Sequence, residues 1–166
     1  MILASHAILG AAASRLVPDN LYLGFLLGAA SHFVADAISH WDYSLRSATF
    51  DEKNRLVDMR WGRDFLIDLF KIALDIIAGV IISFLIFKVH GARDFISLFA
   101  GIVGGILPDG LQFLYSKIKK EPFVAIEEFH IAIHSKKTIR DPYRGILSQS
   151  AIVAAAVLVS VLLTSP

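Results

Sequence analysis

Apolar residues run along this chain in blocks separated by short polar breaks, and the blocks have helical length and helical punctuation. Ile2 to Arg15 is rich in Ala and Gly. Pro18-Asp19-Asn20 follows as a turn, with Asp19 or Asn20 placed to cap a second helix from about Leu21 to His40. Trp41 to Arg63 is polar and carries charges of both signs. From Asp64 to about Val89 the apolar run resumes for a length that crosses roughly 30 Å of hydrocarbon, and His90-Gly91 ends it. A fourth helix is predicted from about Asp94 to Leu107, broken or kinked at Leu107-Pro108-Asp109-Gly110 and resumed from Leu111 to Ile118. Phe123 to His134 reads as a short amphipathic helix at a membrane interface, and Ile146 to Thr164 as the last span. The expected fold is all-α: one polytopic membrane domain over residues 1–166, with four to five spans.

Composition strengthens the membrane reading. Hydrophobic residues make up 55% of the chain and charged residues 19%, with a mean hydropathy of +0.63, against roughly 45–50% apolar in soluble domains. The net charge of +1, and the lack of a basic helix with interleaved aromatics, argue against nucleic acid as a partner. Membrane lipids are the expected partner. The chain has no cysteine, so any metal must be held by His, Asp, Glu or backbone. Ile2 to Leu9 followed by Ala11-Ala12-Ala13-Ser14 has the outline of a signal peptide. The basic leading region is missing, however, and His6 interrupts the run, so a retained first helix is expected.

Basic residues set the expected orientation. The polar loop carries Arg46, Lys53, Arg55, Arg60 and Arg63, and the region from Ser116 to Arg144 carries Lys117, Lys119, Lys120, Lys136, Lys137, Arg140 and Arg144, together twelve of the sixteen Lys and Arg. The positive-inside rule then puts these loops and the N-terminus in the cytoplasm, and the protein in the inner membrane. With that topology His6, His40, His130, His134 and Asp109 fall near the cytoplasmic face, with His32 and Asp36 deeper on their helix. His90 falls on the far side.

Candidate chemistry is concentrated in Ser31-His32-Phe33-Val34-Ala35-Asp36-Ala37-Ile38-Ser39-His40-Trp41-Asp42. Residues four apart share a helix face, so His32, Asp36 and His40 form one stripe of the nitrogen and oxygen donors that zinc and similar divalent ions take. A plain polar stripe that hydrogen-bonds neighbouring helices uses the same residues. Ionisable groups within a span nevertheless cost several kcal/mol unless satisfied, and mark function by default. His130 and His134 repeat the four-residue spacing beside Glu127. Ile131 stands where a zincin would carry its glutamate, so that protease class is not supported. Gly101 and Gly105 make a small-xxx-small packing face ahead of Pro108-Asp109, and Gly24 and Gly28 look like the same device. Asp68 is a weaker candidate for the site, and Asp75 has Lys71 four residues away as an intrahelical partner.

Ser5-His6-Ala7-Ile8-Leu9-Gly10, the Gly-rich helix ending in Leu107-Pro108-Asp109, His134-Ser135 and Ser31-His32-x-x-x-Asp36 together resemble the YdjM-like membrane-bound, metal-dependent hydrolases. The chain differs from that family's pattern in the order of these elements, in Gly110-Leu111 after Pro-Asp, and in His130-x-x-x-His134 where an arginine-containing run is usual. The His-x-x-x-Asp element is also similar to one in zinc-dependent phospholipase C. The residues and the resemblance together lead to the expectation of a hydrolase acting on a lipid or another membrane-proximal ester or phosphoester. Its metal ligands are drawn from His6, His32, Asp36, His40, Asp109, His130 and His134. The ion is zinc foremost, with manganese or iron as alternatives, and Asp36 is the expected general base. Lys119, Lys120, Lys136 and Lys137 are expected to hold the pocket mouth against anionic headgroups. The competing expectation is a non-catalytic metal-binding or structural membrane protein, because closed and open metal sites use the same residues. A transporter would spread its polar groups along a path rather than collect them on one face.

Overall fold

The computed structural model describes residues 1–51, 56–137 and 139–164; Lys53 and Arg55, counted above among the loop cations, lie outside them. The described residues form helices α1 (Leu3–Ser14), α2 (Leu21–Asp36), α3 (Arg63–Ile86), α4 (Ala92–Ile118), α5 (Phe123–Ile133) and α6 (Pro142–Thr164). A hairpin of β1 (Ala48–Asp51) and β2 (Leu56–Met59) lies between α2 and α3, antiparallel, with Ala48 opposite Met59 and Asp51 opposite Leu56. That hairpin stands within the segment read from sequence as a polar loop.

Small side chains put α1 at the centre. Its Ala- and Gly-rich surface lets α2, α3, α4 and α6 all pack against it, and Ala7, Ala11, Leu98 and Ile102 form the apolar core between α1 and α4. The glycines are contact points. A Cβ on Gly28 would come within 2.3 Å of the Gly101 carbonyl oxygen, and one on Gly105 within 2.4 Å of the His6 carbonyl oxygen. The paired small residues read from the sequence thus bring α1, α2 and α4 backbone to backbone. Gly101→Ala is therefore expected to destabilise the protein by about 1–3 kcal/mol, because its new Cβ would lie 2.4 Å from the Gly10 carbonyl oxygen. Gly110→Ala on the same helix meets nothing within 4 Å and should be neutral or mildly stabilising, since Ala is the better helix former. Thermal unfolding of both variants in detergent is the check, and equal midpoints would remove the packing role.

α3, α4 and α6 are long and apolar enough to cross a membrane, with mean hydropathies of 2.4, 1.4 and 2.3 over their most apolar windows. Only 11% of those windows in α3 and α6 is buried, against 44% in α4, so the two outer helices present apolar side chains outward. α1 and α2, at 12 and 16 residues, reach about 18 and 24 Å at 1.5 Å per residue, short of a roughly 30 Å hydrocarbon layer. By length, three candidate spans are present among the described residues.

One local expectation is met and two are corrected. Asn20 is the cap of α2, its side-chain oxygen accepting from the Leu23 N–H at 3.0 Å. α2 ends at Asp36 rather than His40. The Ser135 N–H donates to the Asp36 carbonyl at 2.8 Å and the Ile139 N–H to the His40 carbonyl at 2.8 Å, so a segment remote in sequence takes the place of the next helical turn. Finally, α4 continues through Pro108 without a break. One ladder bond is lost there, but the helix is clamped on both sides by α1 and α2 through Gly101, Gly104 and Gly105.

Candidate metal centre

Asp36 is the hub. Its side chain is 2% exposed, and its Oδ2 lies 3.2 Å from His32 Nε2 and 3.0 Å from His130 Nε2, while His32 Nε2 lies 3.4 Å from His130 Nε2 and 3.6 Å from Asp109 Oδ1. Four donors around one ion at 2.0–2.1 Å in tetrahedral array sit about 3.3–3.4 Å apart along the edges. The observed separations of 3.0–3.6 Å bracket that spacing. His32, Asp36, Asp109 and His130 therefore form a buried group that could hold a metal ion. α2 supplies two of the four, α4 and α5 one each, and Glu127 anchors α5 to α4 by accepting a hydrogen bond from Gln112 Nε2 at 3.1 Å.

A second group, Asp36, His40 and His134, meets the same Asp36 from its other side. His40 Nε2 stands 3.7 Å from Asp36 Oδ1 and 3.0 Å from Asp42 Oδ2. Because α2 has already ended, His40 arrives here on a turn rather than along the helical stripe. Three imidazoles are oriented by backbone: His32 Nδ1 bonds the Gly105 carbonyl at 2.8 Å, His40 Nδ1 that of Ile38 at 2.7 Å, and His134 Nδ1 that of Ser135 at 3.1 Å. In each the carbonyl can only accept, so Nδ1 carries the proton and Nε2 offers its lone pair. This is the arrangement found behind metal-bound histidines. Pro108, which lacks the N–H that would bond Gly104, loosens the α4 ladder beside the Gly105 carbonyl that His32 uses.

His6 is fully buried and stacks on His32 with ring centroids 3.9 Å apart. Its Nε2 is 3.1 Å from Asp36 Oδ1, but out of line for a hydrogen bond, and neither of its ring nitrogens has a hydrogen-bond partner. The nitrogen of residue 1 also touches Asp36 Oδ1, at 2.9 Å, and Asp42 Oδ1, at 2.8 Å.

All seven sequence candidates thus meet around Asp36. His90 does not: it lies on the exposed turn between α3 and α4, its N–H on Asp94. Asp68 is occupied elsewhere, accepting from the Ser47 N–H at 2.7 Å and the Ser47 hydroxyl at 2.8 Å, with Lys71 at 3.5 Å. Asp75 accepts from the Leu3 N–H at 2.7 Å, so it caps the start of α1 and is not the partner of Lys71. Two contributors were given no role from sequence. Asp42 ends the informative run but sits in an irregular segment, off the four-residue stripe, with no periodicity to flag it. Gln149 was detectable as a lone amide in an apolar helix: it accepts from the Ile2 N–H at 3.1 Å and donates to the Trp41 carbonyl at 2.6 Å, fixing α6 to both chain segments that enter the site.

A cavity of about 560 Å³ adjoins the cluster. α3 and α4 meet through the ring pairs Phe65–Phe113 and Phe84–Phe95, with centroids 5.9 and 5.1 Å apart, and the space between the two helices is walled by Phe65, Leu69, Ile72 and Ile76 on one side and Val103, Ile106, Leu107 and Phe113 on the other. Asp36, Asp42, Asp109, His130 and His134 line its polar end. Lys119 pairs with Asp58 at 3.2 Å, and the Lys117 amine sits 4.6 Å over the Trp61 ring. Compared with known proteins, the chain matches no family model, no curated protein and no solved structure.

Proposed function

We propose that the protein is a membrane-embedded, metal-dependent hydrolase that cleaves an ester or phosphoester of a lipid or another membrane-proximal substrate. The observation that carries this reading is the continuity of the His/Asp cluster with an apolar cavity: a chain fits the wall between α3 and α4 while a polar ester reaches the donors. The resemblance of Ser5-His6, Ser31-His32-x-x-x-Asp36, Leu107-Pro108-Asp109 and His134-Ser135 to the YdjM-like hydrolases supports the same class. His32, His130, Asp36 and Asp109 would hold the ion, zinc being the first candidate. Such an ion supplies Lewis acidity that activates water near neutral pH and polarises the scissile group.

Both Asp36 oxygens face imidazole nitrogens, which suits a ligand more than a proton acceptor. Asp109, whose Oδ1 faces the donors and whose side chain is 27% exposed at the cavity, would hold the ion through one oxygen and keep the other to take the proton of the attacking water. In this reading α1 and α2 complete a bundle of four to five membrane-inserted helices. The cation-rich loops face the cytoplasm of an inner membrane, with Lys120, Lys136 and Lys137 left to meet anionic headgroups.

The test is incubation of the purified protein in detergent with a mixture of labelled phospholipids and acylglycerols, with and without chelator. Product release should depend on added Zn²⁺ or Mn²⁺ and fall about 100-fold or more in Asp109→Asn, within the range for removing a general base. Metal retention without turnover of any substrate in the mixture favours a non-catalytic, metal-stabilised bundle instead.

A further inference from the structure

We propose that the cluster is a two-ion centre in which Asp36 is the shared ligand, with one ion on its Oδ2 side and the other on its Oδ1 side. The donors are too many for one ion. Nε2 of His32, His40, His130 and His134, the Asp109 carboxylate and both oxygens of Asp36 exceed the four that zinc takes and the six of an octahedral site. They are also divided in space. His32 and His130 approach Asp36 Oδ2 at 3.2 and 3.0 Å, whereas His40 approaches Oδ1 at 3.7 Å with His134 beside it, ring centroids 4.8 Å apart. A carboxylate presenting one oxygen to each of two imidazole sets is the arrangement that bridges paired ions about 3.5–4 Å apart.

An independent observation points to a ligand on the second side. His40 Nε2 is buried and has no hydrogen-bond partner: Asp42 Oδ2 stands 3.0 Å away but out of line for a hydrogen bond, while Nδ1 of the same ring is held by the Ile38 carbonyl. A lone pair fixed in that direction and left unpaired costs free energy unless something binds it. The first ion is held by His32, His130, Asp109 and Asp36, and the second by His40, His134 and Asp36, with Asp42 beside it.

This inference rests on the metal-binding half of the proposed function and not on hydrolysis, so its test counts metal. The chelator-stripped protein is reloaded with Mn²⁺ in detergent, washed and analysed for metal per chain. About two ions per wild-type chain are expected, falling to about one in His134→Ala and about one in His130→Ala. At full loading the wild type should show an exchange-coupled manganese paramagnetic spectrum, replaced by an isolated six-line signal in His134→Ala. The spectrum of the wild type needs no variant to fold. One ion per wild-type chain with an uncoupled signal overturns the two-ion centre and leaves a single-ion hydrolase standing. No retained metal in the wild type overturns both.

Discussion

Asp36→Asn should abolish metal retention while leaving the protein inserted in the membrane. Its carboxylate is within 3.0–3.7 Å of four imidazole Nε2 atoms, those of His6, His32, His40 and His130, so it is the one side chain common to both ligand groups. Replacing a residue that only orients a ligand costs about 10–100-fold in metal affinity. Removing the charge and one of the two ligand oxygens at the hub should exceed the upper end of that range, about 100-fold. His90→Ala, on the exposed turn across the molecule, should change neither metal content nor stability. The two outcomes are separable. A ligand loses metal first and stability second, by mass action, because the bound ion stabilises only the folded state. A residue engaged only in helix packing lowers the unfolding temperature equally with and without metal. If Asp36→Asn retains the wild-type complement of metal, the centre is lost as a hypothesis and the buried imidazoles are left as packing groups.

The site was legible where its information is local, and illegible where it depends on distant chain. His32 and Asp36 face together because one helix carries them, and the small residues at 24, 28, 101 and 105 announce close helix approach through their lack of side-chain bulk. The end of α2 could not be read in the same way. The Asp36 and His40 carbonyls are taken by Ser135 and Ile139 N–H groups, about a hundred residues away, so the apolar pattern alone extended the helix one turn too far. Pro108 is the reverse case: a local breaking rule gave way to packing from both sides. Asp68 and Asp75 looked like candidates for the site or for an intrahelical pair. In fact they satisfy the backbone N–H groups of Ser47 and Leu3, and such capping across the fold leaves no periodic trace in sequence. The hairpin lies in a segment whose mixed charges hid its pairing, and Asp42 shares that segment's lack of pattern.

Filling the apolar cavity should separate binding of the substrate's chain from metal chemistry. Ile72 lines the space between α3 and α4 from the α3 side, outside the set of metal donors, and α3 has its main helix packing against α1. A Trp at this position occupies volume that a long apolar chain would use, without entering the α1–α4 core. Burying one methylene is worth about 0.8 kcal/mol, and 1.4 kcal/mol is a tenfold change in affinity. A Trp that excludes two methylenes therefore weakens a long-chain substrate about tenfold and leaves a short-chain one nearly untouched. We expect Ile72→Trp to retain full metal content and to turn over short-chain esters or phosphoesters at the wild-type rate, while its KM for long-chain substrates rises about tenfold. An equal change for substrates of every chain length would show that the cavity is not where the chain lies, and the proposed lipid specificity would then have no structural support.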